Sequence, residues 1–263
     1  MIEFSTATLD AWLAAYLYPL ARLSGLLLAA PLFGHTALPA RVKVLLALVL
    51  TVAIAPMAGQ MPAVPPASGA GLVILAEQLL IGLGIGYAMR IASAAIDMAG
   101  ELTGLQMGLG FATFFDPQSA ANTAVVAQLY GLLAMLMFLA INGHLIVVSL
   151  LAQSFGIVPV GFIAFVDLEF ARIVVYGAQI FLSGLLLALP FVAALLAANI
   201  ALGMLTRAAP QLNLFAVGFS ITLLAGFLLM AIILPRLLPS FERLYLDAAA
   251  YALQWLGDIG GAR

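Results

Sequence analysis

The sequence contains no cysteine, and this absence excludes disulfides, thiolate nucleophiles and iron–sulfur centres anywhere in the chain. Charge is nearly as scarce, because Lys, Arg, Asp and Glu make up 8% of the residues, against about 25% in soluble domains. The net charge of −2 gives no indication of nucleic-acid binding. His35 and His144 are the two histidines, and their spacing is not that of metal ligands. From the residues alone the chain is therefore not an evident enzyme, and we expect it to bind neither a cofactor nor a metal ion.

Apolar residues dominate the sequence. Hydrophobic residues make up 65% of the 263-residue chain, and its mean hydropathy is +1.22. A soluble globule of this size cannot bury so much apolar surface, so we predict an all-α, polytopic membrane protein. The apolar runs correspond to about six to eight hydrophobic helices at the usual ~20-residue membrane length. Glu3 and Asp10 have the wrong sign for a cleavable signal peptide, so residues 11–32 are expected to remain as a helix.

Helix breakers divide the apolar runs. Asn142 and Gly143 are expected to interrupt the run over residues 124–151. A long helix, kinked at Pro190, is expected over residues 172–205.

The last strongly apolar run is expected to end at Pro235 and Pro239. Ser240 would then cap a separate amphipathic helix over residues 241–256. No internal repeat or long linker marks a second domain, so a single domain over residues 1–263 is predicted.

One predicted helix carries small and charged residues along one side. If a single helix runs through residues 82–108, these residues share one side of it, and apolar residues occupy the other. Small residues four apart let two helices approach closely. The stripe consists of Gly82, Gly86, Arg90, Ser93, Asp97, Gly100, Glu101, Gly104 and Gly108.

The charges of this stripe allow two interpretations. Asp97 and Glu101 lie one turn apart and could form a proton relay. Alternatively, they bond Arg90, Arg22 or backbone groups at a helix interface. We favour the interface, because a stripe that contains Gly100 and Gly104 resembles a packing face.

The end of this helix is followed by a cluster of aromatic residues. Met107 and three phenylalanines lie beside two flexible glycines, and Asp116-Pro117 predicts a turn or a new helix start. Large apolar side chains of this kind form either ordinary core or a hydrophobic constriction. From the residues alone, the two functional hypotheses are a small-solute transporter and a pore or scaffold subunit. The cluster consists of Met107, Gly108, Gly110, Phe111, Phe114, Phe115, Asp116 and Pro117.

An ordered set of motifs resembles the FliR family of flagellar type III export-gate membrane proteins and its injectisome relatives of the SctT and SpaR type. The resemblance covers almost the whole chain. Its C-terminal turn includes Arg207, Pro210, Gln211, Asn213 and Phe215. The other matching segments are residues 22–39, Gly100-Glu101-Leu102, residues 106–112, residues 115–118, residues 138–144, Ser154-Phe155 with Pro159, and Gly218-Phe219.

The resemblance implies a core subunit of the flagellar protein-export gate, with no enzymatic activity. The expected partners are FliP-like and FliQ-like subunits, an FlhB-like switch protein and unfolded exported proteins. Residues 1–205 would correspond approximately to a FliP-like part and residues 206–263 to a FliQ-like part. The expected location is the bacterial inner membrane at the flagellar basal body, largely on the periplasmic side. Residues 108–117 match a loop that serves as a pore plug in relatives.

One departure from the family's pattern matters. Where relatives usually continue with Pro, an apolar residue and Lys, this chain has Ser220-Ile221-Thr222. The basic residue is therefore missing, and its role is in doubt here. An injectisome gate subunit is the alternative within the family, and a small-solute transporter is the alternative outside it.

Overall fold

A computed structural model describes residues 6–34, 38–111, 125–161, 170–208 and 214–261. These residues are almost entirely helical and contain no strand, which confirms the all-α prediction. The α-helices are α1 (Thr6–Ala29), α2 (Ala40–Ile54), α3 (Gly69–Gln106), α4 (Val125–Ala140), α5 (Gly143–Ile157), α6 (Phe170–Tyr176), α7 (Gln179–Ala208) and α8 (Leu214–Gly261). Short 3₁₀ turns cover Ala55–Met57 and Leu109–Phe111.

Five helical segments in the described ranges are long and apolar enough to cross a membrane. The pair α4 and α5 would supply a sixth span if it crosses as one bent unit. This number is the lower end of the predicted six to eight. The bend falls at Asn142, whose φ of 55° places it in the left-handed region, so the predicted break is confirmed.

The prediction that Pro235 and Pro239 end a helix is wrong, because α8 continues through both prolines to Gly261. Each proline removes one backbone donor from the helix. Met230, Leu237 and Phe241 nevertheless form one buried row that passes both prolines. Tertiary packing of this row therefore outweighs the local cost, and Ser240 lies inside the helix rather than at a cap.

The predicted continuous helix over residues 172–205 is also interrupted. A turn at Gly177 and Ala178 separates α6 from α7, and the Gly177 amide donates to the Val174 carbonyl at 3.0 Å. A Cβ at Gly177 would lie 2.9 Å from that same carbonyl oxygen, so glycine is the residue that permits this turn. Pro190 lies within α7, as predicted.

The chain forms two compact units, each assembled from separate segments. The first unit contains the described parts of Met1–Ile91, Asn142–Gly177 and Tyr245–Arg263. The second unit contains those of Ala92–Ile141 and Ala178–Leu244. The core of the second unit includes Tyr130, whose ring contacts those of Phe191 and Phe241 at centroid distances of 6.4 and 6.0 Å.

The C-terminal end of α8 belongs to the core of the first unit. Trp255 is 1% exposed, and its indole fills the space beside Gly84, where a Cβ would collide with the ring. Arg172 forms an ion pair with Asp258, and the Tyr251 hydroxyl donates to the Arg172 carbonyl at 2.9 Å. The last segment of the chain is therefore needed to complete the core around α3.

We expect Trp255→Ala to lower the free energy of unfolding by about 3–5 kcal/mol, because it removes a large buried ring and leaves a cavity. Denaturation in sodium dodecyl sulfate, followed by circular dichroism, measures the change. Trp12 is 70% exposed in the same unit, so Trp12→Ala is a matched control with an expected change within about 0.5 kcal/mol. Equal losses for the two variants would contradict a core role for Trp255.

Candidate functional site: helix α3 and its C-terminal end

Helix α3 is continuous over 38 residues. The predicted stripe of small and charged residues depended on one uninterrupted helix, and α3 supplies it up to Gln106. At 1.5 Å per residue it is roughly 57 Å long, which exceeds the ~30 Å hydrocarbon thickness of a bilayer. Its residues 69–91 lie in the first unit, and its residues 92–106 lie in the second.

In the first unit, glycines bring α3 directly against α1. A Cβ at Gly82 would overlap the Arg22 carbonyl oxygen, and one at Gly25 would overlap the Leu79 carbonyl oxygen. A Cβ at Gly86 would lie 2.8 Å from the Leu26 carbonyl oxygen. These distances leave no room for side chains, so the two backbones pack with glycine on both helices. Gly25 was not singled out from the sequence.

In the second unit, the same stripe packs against α4. A Cβ at Gly100 would lie 2.5 Å from the Ala127 Cα, whereas one at Gly104 would make an ordinary 3.5 Å contact with Val126. The closest approach is therefore at Gly100. The carboxylate of Asp97 lies against Gly131 of α4, where a Cβ would be 2.8 Å from Oδ1.

The charged side chains of the stripe are separated from its glycines. Gly82, Gly86, Gly100 and Gly104 are buried, whereas Arg90, Asp97 and Glu101 are exposed. On a helical wheel these charges lie beside the glycine row, displaced around the axis. The single stripe read from the sequence therefore divides into a glycine face used within the chain and an exposed charged face.

A fully buried arginine holds α1, α3 and α5 together in the first unit. The guanidinium of Arg22 donates from Nε to Gln78 Oε1 at 2.9 Å and from Nη1 to Ser154 Oγ at 3.0 Å. Nη2 donates to the same Gln78 oxygen and to the Val158 carbonyl at 2.8 Å. The guanidinium carbon also lies 4.2 Å from the centre of the Phe155 ring. Each nitrogen of the buried guanidinium therefore donates to an acceptor, which offsets much of the cost of taking the charge out of water.

The C-terminal end of α3 is anchored by Met107. This side chain is fully buried, and a Cβ at Gly226 of α8 would lie 2.5 Å from its Cγ. Gly108 follows with a φ of 86°, in the left-handed region that favours glycine. The backbone thus leaves the helix immediately after a tightly packed residue. Gly110 and the backbone of Phe111 form the 3₁₀ turn that comes next.

The remaining predicted site residues are only partly placed. Phe114, Phe115, Asp116 and Pro117 lie outside the described residues, as do Pro210, Gln211 and Asn213 of the C-terminal turn. Arg207 is exposed in the last turn of α7, and Phe215 lies at the start of α8. Thr222, the position at which the resemblance leads us to expect a lysine, is buried, and its hydroxyl donates to the Phe219 carbonyl at 3.0 Å. The side chain at this position is therefore uncharged, and its hydroxyl finds a hydrogen-bond acceptor within its own helix.

The long apolar helices define this chain as a polytopic helical membrane protein. A family model described as "Bacterial export proteins, family 1" matches residues 13–248. The chain belongs to this family, and the relatives described below are named flagellar biosynthetic protein FliR. It is therefore a membrane-embedded component of flagellar protein export.

Three relatives illustrate the match. The flagellar biosynthetic protein FliR of Escherichia coli (strain K12) is 43% identical over 247 residues, which cover 93% of this chain and 94% of the relative. The protein of the same name from Pectobacterium carotovorum subsp. carotovorum is 42% identical over 245 residues, with coverage of 93% and 94%. That of Buchnera aphidicola subsp. Acyrthosiphon pisum (strain APS) is 30% identical over 248 residues, with coverage of 94% and 95%.

Proposed function

We propose that this chain is a core subunit of the flagellar export gate and forms a protein-conducting channel with FliP-like and FliQ-like subunits. The gate lies in the inner membrane at the flagellar basal body, with much of its mass on the periplasmic side. Its cargo is unfolded flagellar subunits, and an FlhB-like protein acts beside it as a switch. The proposal keeps residues 1–205 as a FliP-like part and residues 206–263 as a FliQ-like part.

The observation that best supports assembly with other subunits is the exposure of charge on a membrane-length helix. Arg90 and Glu101 are exposed on α3. Each charged residue that faces lipid at the centre of a membrane costs about 2.5–3.5 kcal/mol on insertion scales. Protein or water must therefore cover this face, as subunits of a channel would.

Co-purification tests this proposal. We expect the tagged chain, expressed with the FliP-like and FliQ-like proteins of its own organism and extracted in mild detergent, to elute as one large complex that contains all three. A monomer or homodimer that retains neither partner would favour a small-solute transporter. Assembly with injectisome subunits in preference to the flagellar ones would favour the injectisome alternative.

We further propose that residues 108–117 form the movable plug of the channel. Met107 provides a fixed point, because it packs against Gly226, and the left-handed φ of Gly108 turns the chain away from α3. The phenylalanines at positions 111, 114 and 115 would close a narrow pore by excluding water. Asp116-Pro117 would restrict the far end of the plug.

Deletion of residues 110–115 is expected to leave the complex assembled and the membrane permeable to ions. Removal of the aromatic barrier opens the pore, while the buried anchor at Met107 remains in place. Ion conductance of cells that carry the deletion is measured beside the yield of the purified complex. Replacement of the same six residues by alternating Gly and Ser controls for loop length and should be equally permeable. An assembled complex with normal conductance would remove the plug assignment.

A further inference from the structure

Helix α2 is the least covered of the membrane-length helices in the described residues. The span Ala40–Met57, which adds the following 3₁₀ turn to α2, is 17% buried, whereas that of α3 is 56% buried. Helix α1 packs against α2, and the buried residues of this span form one narrow row at intervals of three and four residues. Its other sides are therefore open within the first unit. The buried row consists of Ala47, Thr51, Ile54 and Ala58.

The exposed surface of this span is aliphatic. From Val44 to Met57 the one polar side chain is that of Thr51. It is buried, and its hydroxyl donates to the Ala47 carbonyl at 2.7 Å. Over these residues the open sides therefore offer no hydrogen-bonding side chain. The exposed large side chains there are Val44, Leu45, Leu48, Val49, Val52 and Met57.

This composition favours lipid over another helix as the neighbour of the open sides. Helices in membranes pack through small residues and through hydrogen bonds between side chains. In α2, Ala47 and Thr51 lie on the buried row, and α2 has no glycine like Gly82, which brings α3 against α1. Leucine gains little from leaving lipid for a protein interface, because acyl chains are equally apolar. The open sides therefore fit the hydrocarbon of a bilayer.

The length and the charges of this span match a bilayer with an anionic leaflet. Its 18 residues extend about 27 Å at 1.5 Å per residue, close to the ~30 Å hydrocarbon thickness. Arg41 is exposed and Lys43 half-buried in the first turn of α2, and residues 58–76 beyond the other end carry no charge. Neither α1 from Ala11 onward nor α2 contains Asp or Glu. Such an asymmetry is typical of a helix whose basic end meets anionic headgroups.

We propose that α2 faces the lipid of the bilayer, and that Arg41 and Lys43 bind the phosphate of an anionic phospholipid. The acyl chains of this lipid lie along the aliphatic sides of the helix. Arginine binds phosphate through its planar fork, and lysine binds it as a point charge. The ligand is a phospholipid rather than free phosphate, because the aliphatic surface begins directly after the two cations. This lipid contact goes beyond the proposed function and requires no other subunit.

Native mass spectrometry of the purified full chain tests the choice of headgroup. We expect phosphatidylglycerol to remain bound in preference to phosphatidylcholine with the same acyl chains, and an excess of inorganic phosphate not to displace it. Arg41→Gln and Lys43→Gln are each expected to weaken phosphatidylglycerol binding about fivefold. Arg243→Gln removes an exposed arginine from the second unit and should have no effect. Equal binding of the two lipids, displacement by phosphate, or equal effects of the three variants would overturn the headgroup assignment.

Spin labelling tests the lipid-facing surface, and the absence of cysteine makes single labels straightforward. Leu48→Cys and Val52→Cys each place a nitroxide on an open side of α2, and Gln60→Cys places one on an exposed loop residue beyond it. In vesicles of phosphatidylglycerol and phosphatidylcholine, we expect oxygen to relax the labels at positions 48 and 52 more strongly than a water-soluble nickel chelate does. The label at position 60 should show the reverse.

The same labels are compared in the chain alone and in its complex with FliP-like and FliQ-like subunits. Protection of positions 48 and 52 from both reagents in the complex would show that another subunit covers α2, and would overturn the inference. Stronger relaxation by the nickel chelate would place these positions in water and would overturn it as well. Failure of the complex to form would contradict the proposed function, whereas the labels in the chain alone would still decide whether α2 faces lipid.

Discussion

Replacement of Arg22 by methionine is expected to lower the free energy of unfolding of the first unit by about 1–3 kcal/mol for each buried acceptor that loses its donor. Methionine fills much of the volume but supplies no donor. The side-chain oxygen of Gln78 and the carbonyl of Val158 would then be buried without the guanidinium that both accept from. Each such orphaned acceptor is costly because no water reaches it.

Two further variants separate the charge of Arg22 from its geometry. Arg22→Lys keeps the positive charge but loses the planar fork that donates to Gln78, Ser154 and Val158 together, so we expect little rescue. Arg41→Met removes an exposed arginine from α2 and should change stability by less than about 0.5 kcal/mol. Denaturation in sodium dodecyl sulfate compares all three. If Arg22→Lys were as stable as the unchanged protein, the positive charge alone would account for the stabilisation, and the geometry of the guanidinium would not matter.

The sequence reveals this arginine but not its partners. Arg22 is visible as the one charge inside the first apolar run, which is itself a signal of a special environment. Gln78 is 56 residues away and Ser154 is 132 residues away. Periodicity describes one helix at a time, so it carries no information on which distant helices meet. The three-helix contact had to come from the structure.

Local patterns predict best where one physical effect dominates. The continuity of α3 follows from uninterrupted apolar periodicity, and the break at Asn142 follows from an Asn-Gly pair that readily adopts left-handed backbone. At Pro235 and Pro239 two effects compete, and the buried row that includes Leu237 and Phe241 prevails over proline's local preference. A single sequence does not show how much tertiary packing a helix will gain, so the predicted end was wrong.

The candidate site shows the same limit. The glycines and charges of α3 were predicted to form one stripe, because residues such as Gly100 and Glu101 lie close on a helical wheel. The structure separates them by burial, since Ala127 approaches Gly100 while Glu101 remains exposed. A difference of a few tens of degrees in angular position around the helix axis decides whether a residue is buried against α4 or exposed. The wheel cannot resolve it without knowledge of the neighbouring helix.

Substitution of Gly82 by alanine is expected to destabilise the first unit by about 1–3 kcal/mol or more, the usual cost of overpacking. The added Cβ would overlap the Arg22 carbonyl oxygen and lie 2.9 Å from the Leu26 amide nitrogen. Both are backbone atoms, so no rotamer change relieves the collision and α1 must move away from α3. That movement would also displace Arg22 from Gln78, which couples this glycine to the buried arginine.

Gly156→Ala is the matched control for this substitution. Gly156 lies in α5 of the same unit, and a Cβ there would meet no atom within 4 Å. Because alanine is the better helix former, we expect this variant to be unchanged or more stable by up to about 1 kcal/mol. The same denaturation assay gives both values. If Gly82→Ala follows Gly156→Ala toward higher stability, helix propensity governs both sites and α1 does not touch α3 at Gly82. Opposite signs for one identical chemical change would show that the close backbone approach, rather than glycine content, maintains this part of the fold.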